Sequence, residues 1–125
     1  MKPAILISSL FLSVANVSFA MAEEFTPIPD RSTFLSQVVG KDLRLKGYGP
    51  INVSLTVLPD GEIEGRGLGR PVTGAWRWQD GFFCRDLYWG QRDLGPNCQA
   101  VQVQGLTVRF IADQGKGDFA DFAVQ

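Results

Sequence analysis

The sequence predicts a mainly β protein: a small eight-stranded antiparallel up-and-down barrel or sandwich with one short N-terminal helix and one disulfide bond. After Lys41, apolar and polar residues alternate in short runs separated by turn residues at a spacing of about 8–12 residues, which is typical of such folds. Asp80-Gly81 lies between two apolar-rich runs and predicts a tight β-hairpin, because a type I′ turn needs positive φ at both central residues. The chain has two cysteines behind an export-type leader, which favours one disulfide.

The N-terminus has the organisation of a secretory signal peptide. Met1-Lys2 precedes an apolar run from Ala4 to Val14, and Ala20-Met21-Ala22 supplies the small residues that signal peptidase accepts. We therefore predict a signal peptide over residues 1–22, with a second acceptable cleavage site after Ser18-Phe19-Ala20, and a periplasmic or secreted protein. The alternative is an uncleaved anchor, but the apolar run is short for a span of about 20 residues.

Residues 23–40 are predicted to form an N-terminal arm and a short helix. Pro27 and Pro29 favour an extended arm over Glu23 to Pro29. Asp30 is a suitable N-cap, and four apolar residues that follow fall on one side of a helix ending at Gly40. We expect this to be the one helix of the chain.

Residues 41–125 are predicted to form the barrel-like domain. The alternation and the turn residues place strands at 43–45, 51–57, 62–67, 72–79, 82–89, 98–103, 106–112 and 119–124. Short connections between consecutive strands favour a meander, and closing the meander into a barrel would remove its exposed edges. Whether the sheet closes or splits into a sandwich is left open at this point.

The two cysteines allow a single intrachain pairing, Cys84 with Cys98. Closing a loop of about 15 residues stabilises a fold by roughly 3 kcal/mol in the chain-entropy model. The alternative is a redox-active pair, which the spacing does not favour because it differs from C-x-x-C.

The hairpin around Asp80-Gly81 is predicted to have two different faces. If Trp78 pairs with Phe83, one face carries Trp76, Trp78, Phe83, Arg85 and Leu87, and Arg85 can stack on Trp76. This face is either a platform for a planar ligand or part of the core, where aromatic residues dominate small β proteins. Polar loops often carry binding residues, and Tyr88, Trp89 and Arg92 lead into the polar loop that follows the hairpin. The candidate ligand-binding residues are therefore Trp76, Trp78, Arg85, Tyr88, Trp89 and Arg92.

Composition excludes several classes of function. The chain has no histidine, so serine–histidine catalysis and histidine-ligated zinc are impossible, and we expect no catalytic residue, metal or cofactor. Lysine and arginine are scattered singly, so no nucleic-acid partner is expected, nor a membrane span after signal cleavage. A glycine-rich bend at residues 65–70 and an acidic turn at residues 113–121 are better explained as turn chemistry than as phosphate or Ca²⁺ sites.

The segment that begins at Gly74 and contains Trp76, Trp78 and Cys84, together with Asn97-Cys98-Gln99, resembles a group of small exported bacterial proteins of unknown function. The resemblance runs from about Leu43 to the C-terminus. Members of that group often carry the label dihydrodipicolinate reductase, which implies an NAD(P)H-dependent enzyme as one alternative. No dinucleotide fingerprint is present, and no position matches that enzyme's catalytic motif.

We therefore expect a non-enzymatic binding module whose partner is a protein or a small-molecule ligand of the cell envelope. Its fold class and disulfide also resemble those of periplasmic metalloprotease inhibitors, small eight-stranded barrels whose N-terminal arm enters the protease cleft. That resemblance implies a second alternative, inhibition through the arm Glu23 to Pro29.

Overall fold

A computed structural model describes residue 4 and residues 24–125 of this chain; the predicted signal peptide otherwise lies outside the described residues. Two helical segments are present, α1 (Arg31–Gln37) and α2 (Ala112–Gly115). The strands are β1 (Thr26–Pro27), β2 (Asp42–Leu45), β3 (Val53–Val57), β4 (Glu62–Gly67), β5 (Arg70–Gln79), β6 (Phe82–Trp89), β7 (Arg92–Asp93), β8 (Asn97–Gln104), β9 (Thr107–Ile111) and β10 (Phe119–Val124).

Eight of these strands form a closed antiparallel barrel. They follow one another as a meander from β2 to β6 and from β8 to β10, and β6 pairs with β8. The barrel closes where β10 pairs with β2, with Phe122 opposite Leu45. The predicted barrel is therefore confirmed and the sandwich alternative is excluded, since every barrel strand has a partner on both sides.

The structure corrects several element boundaries. Helix α1 ends at Gln37 rather than at Gly40, and α2 is a second helical segment that the sequence did not predict. In α2, Asp113 and Gln114 have φ values of 55° and 57°, so this segment is a left-handed turn in its middle. Two short strands are also additional: β1 lies in the predicted arm and pairs with β8, while β7 lies in the predicted polar loop and pairs with β6.

The predicted hairpin is confirmed in its register. Trp78 lies opposite Phe83 and Trp76 opposite Arg85, with Asp80 and Gly81 at φ 53° and 83° in the connecting turn. Positive φ at both turn residues is the geometry of a type I′ turn, which matches the twist of the flanking strands.

Helix α1 closes one end of the barrel, which we call the closed end. Phe34 and Val38 of this segment are completely buried. The Phe34 ring lies 5.3 Å from the Trp76 ring, 5.1 Å from the Trp78 ring and 5.2 Å from the Phe83 ring, measured between centroids. Phe34 is thus the centre of an aromatic cluster that fills the barrel at this end, and the opposite end, formed by the loops before β3, β5, β8 and β10, is the open end.

The β6–β8 pairing is short and carries the disulfide. Only three residue pairs join the two strands, and the middle pair is Cys84 with Cys98. The predicted Cys84–Cys98 bond is therefore confirmed, and it links two directly opposed residues of the barrel wall. A disulfide is typical of oxidising compartments, which is consistent with the predicted export. Within residues 24–125, no helix has the length and apolar character needed to cross a membrane.

Asp30 caps α1 as predicted, since its carboxylate accepts a hydrogen bond of 2.8 Å from the Thr33 amide. The hydrogen bonds from Thr33 lower the pKa of Asp30 from its ordinary value. A lowered folded-state pKa means that the capping carboxylate stabilises the fold above the ordinary pKa of about 3.9, and that this contribution is lost as the pH falls through the lowered value.

We expect Asp30→Ala to lower the melting temperature at neutral pH, because an unsatisfied amide appears at the start of α1. The difference from the wild type should shrink below about pH 3, where the wild-type carboxylate also becomes protonated. Thermal melts followed by circular dichroism at both pH values measure this, with Asp30→Asn as a control that keeps a capping oxygen. A pH-independent difference would contradict the role of the charge.

Candidate functional site

The barrel is hollow towards its open end. A cavity of about 320 Å³ lies between the aromatic cluster and the loops of the open end. Its walls are mostly apolar side chains from six strands, with polar groups at a few positions: Tyr48, Leu55, Val57, Ile63, Phe83, Arg85, Leu87, Gln99, Phe110, Asp118, Phe119, Ala120 and Phe122. A predominantly apolar, concave site with a few polar groups is the usual form of a small-molecule site.

Two inward positions of the barrel wall carry no side chain. Gly65 of β4 and Gly74 of β5 alternate with outward residues and lie on the inner wall. A Cβ atom at Gly65 would collide with the Ser54 carbonyl oxygen, and one at Gly74 would collide with the Asp86 carbonyl oxygen. These strands approach their neighbours so closely that only glycine fits, and no side chain extends from these two positions into the barrel.

A second apolar cavity of about 260 Å³ adjoins the first nearer the β4–β5 turn. Leu55, Leu87 and Phe122 belong to the walls of both cavities. Trp89 lines the second cavity, and its indole N–H donates a 2.7 Å hydrogen bond to the Gly67 carbonyl oxygen. The lining of the two cavities therefore extends along the inner side of β6, from Phe83 to Trp89.

The open end has an apolar rim. Leu68 is 59% exposed in the turn between β4 and β5. Its backbone has a φ of 50°, which is unusual for a residue other than glycine. The other exposed large apolar residues in the loops and strand ends of this end are Tyr48, Ile51, Leu94 and Phe119. An apolar rim around an apolar cavity lets an apolar molecule enter without crossing a strongly hydrated surface.

Arg85 is the basic group of the cavity wall. It is half-buried, and one guanidinium nitrogen donates a 2.7 Å hydrogen bond to the Gly95 carbonyl oxygen. Burial lowers the pKa of Arg85, and the nearby charge of Asp86 raises it in the opposite direction. The ordinary arginine pKa is so high that the side chain stays protonated. Within residues 24–125, Arg85 makes no salt bridge, so most of its five N–H donors have no protein acceptor.

Gln99 is the neutral polar group beside Arg85. Arg85 lies opposite Asn97 and Gln99 lies opposite Phe83, so the two side chains are diagonal neighbours on the inner wall. Diagonal neighbours are separated by about 7–8 Å between Cα atoms, which is within reach of long side chains. Among the described residues the Gln99 amide has no hydrogen-bond partner, so a cation and an amide are both available to a molecule in the cavity.

The structure separates the predicted ligand-binding residues into three groups. Trp76 is 8% exposed and packs with Trp78 on Phe34, so both rings belong to the closed end. Arg85 and Trp89 line the two cavities. Tyr88 and Arg92 are exposed outside the barrel wall. The predicted stack of Arg85 on Trp76 is wrong: Arg31 lies over that ring at 6.0 Å, and Arg85 instead bonds to Gly95.

Several cavity residues were not among the sequence-predicted site residues. Leu55 and Val57 alternate with polar residues on β3, a pattern that indicates core positions but not the wall of a cavity. Phe110 and Phe122 alternate in the same way on β9 and β10. Their common signal is inward alternation, and the cavity appears only when the inward residues of all strands are placed in one barrel.

The N-terminal arm lies against the barrel wall. Thr26 and Pro27 pair with Val103 and Gln102, and the Ile28 amide donates to the Val101 carbonyl oxygen at 2.9 Å. Arg109 lies between the rings of Phe25 and Phe119 at 3.8 Å and 4.0 Å. An arm that enters a protease cleft would have to leave these contacts.

The distribution of charge around the cavity is simple. Arg85 is half-buried in the wall, whereas Asp118 is exposed at the open end, where water screens its charge. Within the part of the chain that the structure describes, no group of three or more acidic or cysteine side chains could hold a metal ion.

No known protein family, curated protein or solved structure matches this chain.

Proposed function

We propose that this protein is a binding module that takes a small, mostly apolar molecule into the open end of its barrel. The observation that carries the proposal is the 320 Å³ cavity inside a closed barrel. Ligand cavities occupy about 300–1,000 Å³, so the ligand is small. The export predicted for the chain puts this activity in the periplasm or outside the cell.

The contrast between the two ends of the barrel supports the proposal. At the closed end, Phe34 fills the lumen and contacts three aromatic rings. Protein interiors are normally packed to this density, with few voids larger than a water molecule. At the open end the lumen is lined mostly by apolar side chains that no aromatic ring fills, and burying apolar surface in such a concave site favours an apolar molecule.

Filling the cavity is expected to abolish binding and to leave the fold intact. Ala120 lies on the inner face of β10 and lines the cavity. A phenylalanine at this position would occupy the space of the ligand, so Ala120→Phe should lose binding at least tenfold without lowering the melting temperature. The matched control is Ala75→Phe, which places the same ring on an exposed position of β5.

The measurement is a fluorescence titration of the mature protein with N-phenylnaphthylamine, a neutral probe that emits more strongly in apolar surroundings. The wild type and Ala75→Phe should bind one molecule each, and Ala120→Phe should show almost no enhancement. Equal enhancement in all three proteins would place the probe outside the barrel and refute the proposal.

A further inference from the structure

We infer that the ligand of the barrel is an anion, an apolar molecule with one carboxylate or similar acidic group, and that Arg85 binds this group. The inference rests on the proposed function and names the chemical class of the ligand. It follows from three features of the cavity: the state of Arg85, its amide neighbour and the position of the opposing charge.

The first feature is an incompletely satisfied cation in an apolar wall. Arg85 shares the cavity with apolar side chains such as Leu87 and Phe110, and its one observed partner is the Gly95 carbonyl oxygen. Arg85 is half-buried, and taking a charge partly out of water is costly unless it is paired and hydrogen-bonded. Arginine presents a planar fork of donors that matches a carboxylate in a bidentate arrangement. An acidic group would therefore complete the bonding of Arg85.

The second feature is that Arg85 is fixed in position. Its neighbour Cys84 is bonded to Cys98, in the middle of the β6–β8 pairing. The Gly95 carbonyl that holds the guanidinium belongs to a turn in which the Asp93 carboxylate accepts a 2.8 Å hydrogen bond from the Gly95 amide. The disulfide restrains the backbone beside Arg85, and the Gly95 carbonyl oxygen restrains its guanidinium. The side chain therefore loses little freedom when a ligand binds.

The third feature is the placement of the other polar groups. Gln99 can add a neutral hydrogen bond to the acidic group of the ligand, because its amide lies diagonally beside Arg85 on the wall. Asp118, the carboxylate of the cavity, is exposed at the open end, where solvent weakens its repulsion. The acidic group would therefore lie at the β6–β8 wall, and the apolar body would lie against Leu55, Ile63 and Phe122.

The experiment compares ligands that differ in their polar group. Octanoate, octanol and octylamine compete with bound N-phenylnaphthylamine on the mature wild-type protein. We expect octanoate to bind about 10-fold to 100-fold more tightly than octanol, which corresponds to a charge-assisted hydrogen bond, and octylamine to bind most weakly. Anilinonaphthalene sulfonate, which adds a sulfonate to the same probe skeleton, should likewise bind more tightly than the neutral probe.

Variants of Arg85 assign the preference to this side chain. Arg85→Met should reduce octanoate binding to the level of octanol and leave octanol binding within about twofold, and Arg85→Lys should recover part of the preference because a charge remains. Arg77→Met is the matched control, because Arg77 is exposed on the outer side of β5, and this variant should keep the preference. Far-ultraviolet circular dichroism checks the fold of each variant, and the wild-type comparison tests the ligand class even if a variant is unfolded.

The outcomes separate the two proposals. Equal binding of octanoate and octanol to the wild type, or tighter binding of octylamine, would overturn the anion and leave the apolar cavity as a binding site. A preference for octanoate that persists in folded Arg85→Met would overturn the role of Arg85. Absence of binding by every probe, the neutral one included, would refute the proposed function itself.

Discussion

Replacing Phe34 by alanine is expected to destabilise this protein by about 3–5 kcal/mol, which is the usual cost of removing a buried aromatic ring. The ring is completely buried and contacts Trp76, Trp78 and Phe83. A small domain has a total stability of about 5–15 kcal/mol, so this single change would remove a large fraction of it.

Urea denaturation followed by tryptophan fluorescence measures the effect, since two of the three neighbouring rings are tryptophans. The control is Leu106→Ala, because Leu106 is 73% exposed in the β8–β9 turn and its loss should change stability by less than about 0.5 kcal/mol. If Phe34→Ala lowers the free energy of unfolding by less than about 1 kcal/mol, the Phe34 ring does not fill the closed end of the barrel.

Removing the disulfide in Cys84→Ala/Cys98→Ala is expected to lower stability by about 3 kcal/mol, because the unfolded chain regains the freedom of a loop closed across 14 residues of separation. For a domain of about 100 residues this corresponds to a fall in melting temperature of roughly 10–20 °C. The bond lies in a pairing of only three residue pairs, so few backbone hydrogen bonds join β6 to β8.

Differential scanning calorimetry of the mature protein tests this expectation with and without a thiol reductant. The reductant should lower the wild-type melting temperature to that of the double variant and should leave the variant unchanged. A reductant effect of the same size on both proteins would show that the loss does not come from this disulfide.

Much of the barrel could be predicted because its signals are local. Asp80-Gly81 determines the turn, and the turn determines which residue of β5 lies opposite which residue of β6. The alternation of Val53, Leu55 and Val57 likewise identifies the inward side of β3. Once the strands and their order are known, closure follows from the need to remove exposed edges.

The elements that could not be predicted depend on distant partners. β1 and β7 have two residues each, and they are strands only because β8 and β6 offer free backbone groups beside them. Asp113 and Gln114 have a left-handed backbone although neither is glycine, so their residue types did not predict it. Asn97 stabilises that turn through two hydrogen bonds with Asp113, 16 residues away in sequence.

The cavity was the least predictable part of the site. Arg85 could be assigned to the same face as Trp76 and Trp78 from the hairpin register alone. Which end of that face is filled depends on α1, whose Phe34 occupies the closed end. This is a property of the assembled barrel and not of any one strand.

The disulfide lies next to both polar groups of the cavity wall. Cys84 immediately precedes Arg85 in β6, and Cys98 immediately precedes Gln99 in β8. The covalent bond therefore joins the two strand segments that present the polar groups of the cavity, whereas a reduced chain holds those segments together by three residue pairs alone. Under the binding proposal, the Cys84–Cys98 bond would form before the ligand binds. In a reducing compartment the two strand segments of the site would lack their covalent link, and the link would form after export.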